Sequence, residues 1–404
     1  MPKEILINQL FAGKYLEEGE NIGHEVINLF RDDQGNHNIF VTPSGRVSGH
    51  DLDYILFVRN VSARRTVEVV GLAKDIRDFE NEEVKNEEIK NARYAGVSLD
   101  QVFKKNIYHG GTDLFTQHIT FRAGQFLLPT CRILITLDNN EYSEEYKIIH
   151  LDSKRQVIIP QGMREYYSNE VDSKAYNQLK MLIEDHELWN ENGVAEKLIS
   201  DGAEQNQSPS FLEVIRKEND ENVFSNLLGY YFEYSHRSFQ KFAANVLNIK
   251  DMSATFDLYR EYYGETKSRV DLWIENENDI IVIENKIKSG INGIIGDASQ
   301  LDNYCKLAQK QAAKKNIPRL HYFIFAPEYA KYALSQSALK SGYKIVSYKD
   351  IYRFFIDETE TYIADRVFPD FLRGLKRHTL TYPEWQFNTM RSRMIRKIHM
   401  IHNA

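Results

Sequence analysis

Only two cysteines, Cys131 and Cys305, occur in 404 residues, far apart and without ligand spacing. That excludes a disulfide framework and a cysteine-built zinc site, and it predicts a reduced, cytoplasmic protein. No apolar run approaches the length of a membrane span. The opening residues, Met-Pro-Lys-Glu-Ile-Leu-Ile-Asn, turn polar too soon for a secretory leader. There is no Walker-type glycine loop, no nucleophile elbow and no internal repeat, so any ATP-driven step requires a partner. Positive charge is not in excess either. The formal net charge is −7, which argues against indiscriminate coating of DNA but leaves room for a local basic channel. What is abundant is aromatic: 24 tyrosines and 22 phenylalanines. Such residues can stack bases, but core and interface packing is their default use. The length predicts two or three domains.

The most informative stretch is 269–288, Arg-Val-Asp-Leu-Trp-Ile-Glu-Asn-Glu-Asn-Asp-Ile-Ile-Val-Ile-Glu-Asn-Lys-Ile-Lys. Two apolar runs flank a polar cluster, Glu275 to Asp279, that reads as a tight turn. Asp271 opens the first run. Glu284 and Lys286 close the second and, two residues apart in a strand, point the same way. Two carboxylates beside an ammonium suit a hard cation such as Mg²⁺, which takes oxygen ligands and retains water. The carbonyl of Asn285 either joins that ligand set or faces the other strand edge. Such a centre acidifies water and neutralises phosphate, with Lys286 positioned to orient or deprotonate the water or to stabilise developing charge. The implied chemistry is phosphodiester hydrolysis. The ordinary alternative is a charged surface hairpin. Against it, Ile280-Ile281-Val282-Ile283 runs unbroken into Glu284, as in a strand buried on both faces, and buried charges require partners.

Val270-Asp271, Ile283-Glu284-Asn285-Lys286 and Gln300-Leu301-Asp302-Asn303-Tyr304 together resemble the PD-(D/E)XK nuclease superfamily, in the branch written as aspartate, Glu-Asn-Lys and Gln-Leu-x-x-Tyr. Val270 stands where that pattern often has proline. The resemblance implies a restriction-endonuclease-like core, a four-stranded mixed sheet flanked by helices. It also implies Mg²⁺ or Mn²⁺ at Asp271 and Glu284, and Lys286 as the catalytic lysine. Gln300 and Tyr304 share one helix face; the resemblance puts the glutamine near the metal or the substrate, while Tyr304 is equally readable as core. Glu221 opens a helix with apolar Val223, Phe224, Leu227, Leu228 and Tyr231. An acid in a first turn stabilises the helix dipole, but the resembling families place a site acid here, with Glu233 a weaker candidate.

The whole chain reads as mixed α/β (α+β overall). Residues 1–150 form a β-rich, barrel-like module, with strands expected at Glu25–Phe30, Asn38–Val41, Tyr54–Val61, Thr66–Leu72, His118–Phe121 and Arg132–Leu137. A charged loop or helix is expected over Glu80–Lys90 and a short helix over Ser98–Lys104. Arg59, Arg64 and Arg65 around one turn, the Tyr108–Thr112 loop, and Thr116, His118 and Thr120 on one strand face suit a module that reads a nucleotide or a modified base. Taken singly, each is an ordinary turn or surface residue. Residues 151–208 form a connector and a helical segment from Asp172, and 201–210 is the clearest linker. Ser208 is the expected N-cap of the next helix, with Pro209 at its first position. The nuclease-like domain spans 209–375 and a basic helix or tail 376–404. From Phe371 onward seven Lys or Arg face one acid, Glu384. Arg391, Arg393, Arg396 and Lys397, with Arg64 and Arg65, are the candidate DNA contacts; a solvated helix is the competing reading.

These residues predict a Mg²⁺-dependent DNA endonuclease. The resemblance adds a setting, restriction of foreign DNA, and a homodimer suits double-strand cleavage. Two alternatives compete: an effector nuclease switched on by a nucleotide messenger at residues 1–150, and a non-catalytic nucleic-acid-binding module.

Overall fold

The computed structural model describes residues 3–10, 24–41, 51–62, 65–79, 82–98, 101, 119–138, 147–159, 164–190, 210–263, 269–287, 300–331, 334 and 341–402. The chain forms two compact units, Met1–Gln207 together with Tyr382–Ala404, and Ser208–Thr381.

The first unit is built on a nine-stranded sheet. Its strands are β1 (Lys3–Gln9), β2 (His37–Val41), β3 (Asp51–Ser62), β4 (Thr66–Arg77), β5 (Ile119–Pro129), β6 (Ile133–Thr136), β7 (Lys147–His150), β8 (Arg164–Ser168) and β9 (Trp189–Asn190). The main order is β8-β1-β3-β4-β5-β9, with β2 on β5, β6 on β4 and β7 on β6. The sheet curls into a half-barrel. Both faces are covered, which is why its central strands read as unbroken apolar runs. Along β3, Ile55 and Phe57 enter one core while Leu56 and Val58 enter the other. One side is closed by α2 (Ser173–Glu184) through Tyr176, Leu179, Leu182 and Ile183. The other is closed by the last helix, Tyr382–His402, through Phe387, Met390, Met394, Ile395 and Ile398.

Several sequence expectations change here. Glu25–Phe30 is not a strand but a 3₁₀ turn, His24–Leu29, whose Val26, Ile27 and Leu29 are fully buried. Such a short apolar run fits a strand or a buried turn equally well. The charged stretch becomes α1 (Glu82–Asn91). The helical segment expected from Asp172 is a helix as far as Glu184, followed by a 3₁₀ turn and β9. Of the two forms expected for the basic C-terminal segment, helix or tail, Tyr382–His402 is a helix, and its apolar side is part of the first unit's core. Most of Ser98–Lys104, the Tyr108–Thr112 loop, Thr116, His118 and residues 201–209 lie outside the described residues.

The second unit is a five-stranded mixed sheet, β10-β11-β12-β13-β14, with strands Asp257–Tyr263, Arg269–Glu275, Asp279–Asn285, Arg319–Ala326 and Lys344–Ser347. That is one strand more than the resemblance implies. The first two pairings are antiparallel and the last two parallel. One face packs on α4 (Glu221–Tyr234), α5 (His236–Asn245) and α7 (Tyr348–Asp357), the other on α6 (Gln300–Lys315). α6 buries Leu301, Tyr304, Ala308 and Ala312, an amphipathic spacing. The unit begins with α3 (Phe211–Val214). Its N-cap is Ser210, not Ser208, in a reciprocal capping box with Glu213.

The β11–β12 turn is the tight one expected. Asn276 Oδ1 accepts from the backbone N–H of Asn278 (2.7 Å) and Asp279 (2.8 Å). Asp279 is fully buried, and Arg319 and His321 on the neighbouring β13 donate to its carboxylate. This anchors the hairpin and thereby sets the register that delivers residues 271 and 284 to the same strand ends.

In the first unit, Gly71 sits under the Phe126 ring; a Cβ there would meet Phe126 Cζ at 2.3 Å. Gly71→Ala is therefore expected to cost about 1–3 kcal/mol by overpacking, read as a lowered urea midpoint. Adding Phe126→Leu should recover part of that loss, and a midpoint unchanged by Gly71→Ala would show that the ring yields freely.

Candidate active site

The site forms where the β11–β12 ladder ends. The last antiparallel pair towards that end is Leu272↔Ile283. One step further the same register brings Asp271 opposite Glu284, and opposite residues share a face. The backbone N–H of Asn285 points back at β11, where no ladder carbonyl meets it. Asp271 Oδ2 accepts it instead at 2.8 Å. On the other edge the ladder continues, with Lys286 N donating to Phe325 O at 2.8 Å.

Asp271, Glu284 and Lys286 are all buried, at 8 %, 2 % and 6 % exposure. Lys286 Nζ lies 2.7 Å from Glu284 Oε1. Gln300, in the first turn of α6, donates from Nε2 to that same oxygen at 3.1 Å and to the Tyr304 hydroxyl at 2.5 Å. The Tyr304 hydroxyl in turn donates to the carbonyl of Arg269. Tyr304 thus combines its two readings: its ring is core, and its hydroxyl ties α6 to β11.

Glu221 approaches from the other sheet face. Asp220 caps α4 by accepting from Asn222 and Val223 N–H, which fixes the first turn. Glu221 Oε1 then accepts from Ile287 N at 2.8 Å. Its carbonyl takes the Asn285 side-chain amide at 3.1 Å and the Ser225 hydroxyl at 2.8 Å. Asn285 Oδ1 accepts from the Tyr348 hydroxyl at 2.6 Å. The middle residue of Glu-Asn-Lys therefore points away from Glu284 and clamps β12 to α4 and α7. Glu233, the weaker candidate, lies at the far end of α4 and pairs with Arg260 at 3.2 Å; it is not brought to this cluster.

Three carboxylates face one ammonium here. Burial pushes Asp271 up to about 6, opposed by the Asn285 N–H and by Lys286. Burial, then the charge of Asp271, pushes Glu284 up to about 8. Lys286 is disfavoured by burial, but the charge and hydrogen bond of Glu284 outweigh it and hold the ammonium above its ordinary range. The carboxylates want either a proton or a cation. Among the described residues, Glu284 Oε2 and Gln300 Oε1 are buried without a hydrogen-bond partner, which leaves oxygen lone pairs unmet at the centre of the cluster. Among the described residues no three His, Cys, Asp or Glu side chains form a complete cage. The donor set thus fits a hard divalent cation that keeps several waters, held by Asp271 and Glu284, with the Asn285 carbonyl as the nearby backbone donor.

The candidate DNA-contact residues belong to the other unit. Arg65 donates to Asp138 (2.7 Å) and to the carbonyl of Gln156 (3.0 Å). Arg391 and Arg393 are half-buried on the last helix, and Arg396 is exposed. Arg64 and the side chain of Lys397 lie outside the described residues. Ser225 and Tyr348 support the cluster but were not anticipated; Tyr348 is 63 residues from its partner, and no local pattern marks it.

A family model of the PD-(D/E)XK nuclease superfamily matches residues 209–368, and the N-terminal half has no family match. No curated protein and no solved structure matches the chain. Among the described residues no helix is long and apolar enough to cross a membrane.

If the carboxylates hold a cation, Mg²⁺ or Mn²⁺ should raise the thermal midpoint of the wild type, by an amount equivalent to about 2.7 kcal/mol at a hundredfold excess over Kd. Glu284→Gln should abolish the rise. An equal rise in that variant would place the cation elsewhere.

Proposed function

We propose that the protein is a metal-dependent endonuclease that hydrolyses phosphodiester bonds in DNA. The carrying observation is the convergence of Asp271, Glu284, Lys286 and Gln300 at one buried strand end, within the segment that matches the nuclease superfamily. Asp271 and Glu284, with the Asn285 carbonyl, would hold a divalent cation, which would supply charge neutralisation on the phosphate and a more acidic water.

The chain's own residues do the rest. Gln300 and Lys286 both bind Glu284 Oε1 and so fix the direction of its second oxygen. The Asn285 N–H fixes Asp271. Lys286 is placed to donate to the attacking water or to a phosphoryl oxygen as charge develops. Glu221 holds the backbone just beyond Lys286 through the Ile287 N–H and adds negative charge to the cluster. The first unit is the part of the chain left to read the target, whether a DNA sequence or a modified base, and the setting is restriction of foreign DNA. Its basic residues Arg391, Arg393 and Arg396 are offered as backbone contacts in that role.

Lys286→Ala is expected to abolish cleavage with Mg²⁺ or Mn²⁺ while leaving the circular dichroism spectrum unchanged; full activity in that variant would sink the mechanism. The substrate side is tested with modified and unmodified DNA, single- and double-stranded, with and without cyclic nucleotides. Cleavage that depends on a nucleotide would move the first unit from target reader to messenger sensor.

A further inference from the structure

The cluster has a charge problem that its proposed substrate makes worse. A nucleic acid must bring phosphates to a pocket holding Asp271, Glu284 and Glu221. The ammonium of Lys286 is 6 % exposed and engaged by Glu284, so it cannot first attract the polyanion from solvent. A second cation acts on the same cluster. Arg269 is two residues before Asp271 on β11, and its guanidinium reaches the first turn of α4. Its side chain is 39 % exposed, and its positive charge is felt at Asp271.

Arg269 is held by three side chains, Glu261 and Tyr263 of β10 and Asn222 of α4. Nη1 donates to Glu261 Oε1 at 3.1 Å and Nη2 to Asn222 Oδ1 at 3.2 Å. Asn222 adjoins Glu221 in the first turn of α4. Glu261 lies between the pairs Arg260↔Leu272 and Tyr262↔Val270, level with Asp271, and has a left-handed φ of 56°. A non-glycine residue in that region is strained by about 1 kcal/mol or more, and such strain persists where its surroundings impose it. The Arg269 carbonyl also accepts from Tyr304, whose hydroxyl is bonded to Gln300. One residue is thus fixed at its backbone by the α6 network and at its guanidinium by α4 and a distorted β10.

We propose that Arg269 is a substrate-binding residue that receives a backbone phosphate of the nucleic acid beside the Asp271–Glu284–Lys286 cluster. The planar fork of arginine matches two phosphate oxygens at once, which a lysine cannot reproduce. Asn222, Glu261 and Tyr263 keep the fork aimed rather than neutralised, because half-exposed ion pairs are weak and a phosphate diester can compete for the guanidinium donors. This rests on the nuclease reading above.

The test is made in the full chain carrying Lys286→Ala, so that binding is read without cleavage, using a short fluorescent DNA duplex and its single strand with Mg²⁺. Adding Arg269→Ala should weaken binding about tenfold and lower the slope of log Kd against log salt by about one. Adding Arg269→Lys should keep the slope but lose part of the affinity. In the otherwise wild-type enzyme, Arg269→Ala should raise KM with kcat within about threefold. Unchanged thermal midpoints exclude misfolding for these half-exposed substitutions. Unaltered Kd and salt slope in Arg269→Ala would overturn the assignment while leaving the nuclease reading intact. Collapse of kcat at unchanged KM would also overturn it, placing Arg269 at the reacting atoms instead. A wild type that neither binds nor cleaves nucleic acid would overturn both.

Discussion

The N–H of Asn285 has no ladder partner, because β11 and β12 part company there, and a buried N–H left unpaired costs about 1–3 kcal/mol. Asp271 meets that need with its side chain. The consequence is that an acid is held, buried, directly beside Glu284. Nearly everything around the cluster follows from stabilising this arrangement. Gln300 and Lys286 converge on Glu284, Tyr304 ties the α6 end to β11, and Glu221 covers the backbone at Ile287. Each bond satisfies a donor or acceptor that burial would otherwise leave costly.

The two faces of β12 divide the labour. Glu284 and Lys286 turn toward α6, where the chemistry is proposed. Asn285, between them, turns toward Tyr348 and the first turn of α4. A three-residue segment therefore joins both layers of helices to the centre of the sheet. Replacing Asn285 would disturb the position of Glu221 before it disturbed either acid.

The site was legible where its residues are neighbours in sequence. Asp271, Glu284 and Lys286 lie on one hairpin, and the turn Glu275–Asp279 announces that hairpin directly. Gln300 and Tyr304 were legible through helical spacing, and Glu221 as an acid in a first turn. Tyr348 was not, because its hydrogen bond joins segments that meet only after the parallel β13 and β14 have formed. In the first unit, β1 and β8 pair with each other across more than half the unit, and neither carries a turn signal that points to its partner. The C-terminal helix misled through its charges: the seven basic residues drew attention, while Phe387, Met390, Met394 and Ile398, at helical spacing, were the signal that it packs into a core.

That same helix makes the first unit discontinuous in sequence, with residues 208–381 inserted between its two parts. During synthesis the inserted unit is complete before Tyr382–His402 exist, so it has all its own core residues while the sheet of residues 1–207 still lacks one covering layer. Chains fold as they emerge, unit by unit. The nuclease-like unit is accordingly the first that can mature, and the older segment waits, with Leu29, Phe30, Ile39 and Phe126 uncovered on one side. Loss of the last twenty or so residues would leave a chain whose acidic cluster is intact and whose first unit cannot finish, so the two halves of the protein fail independently.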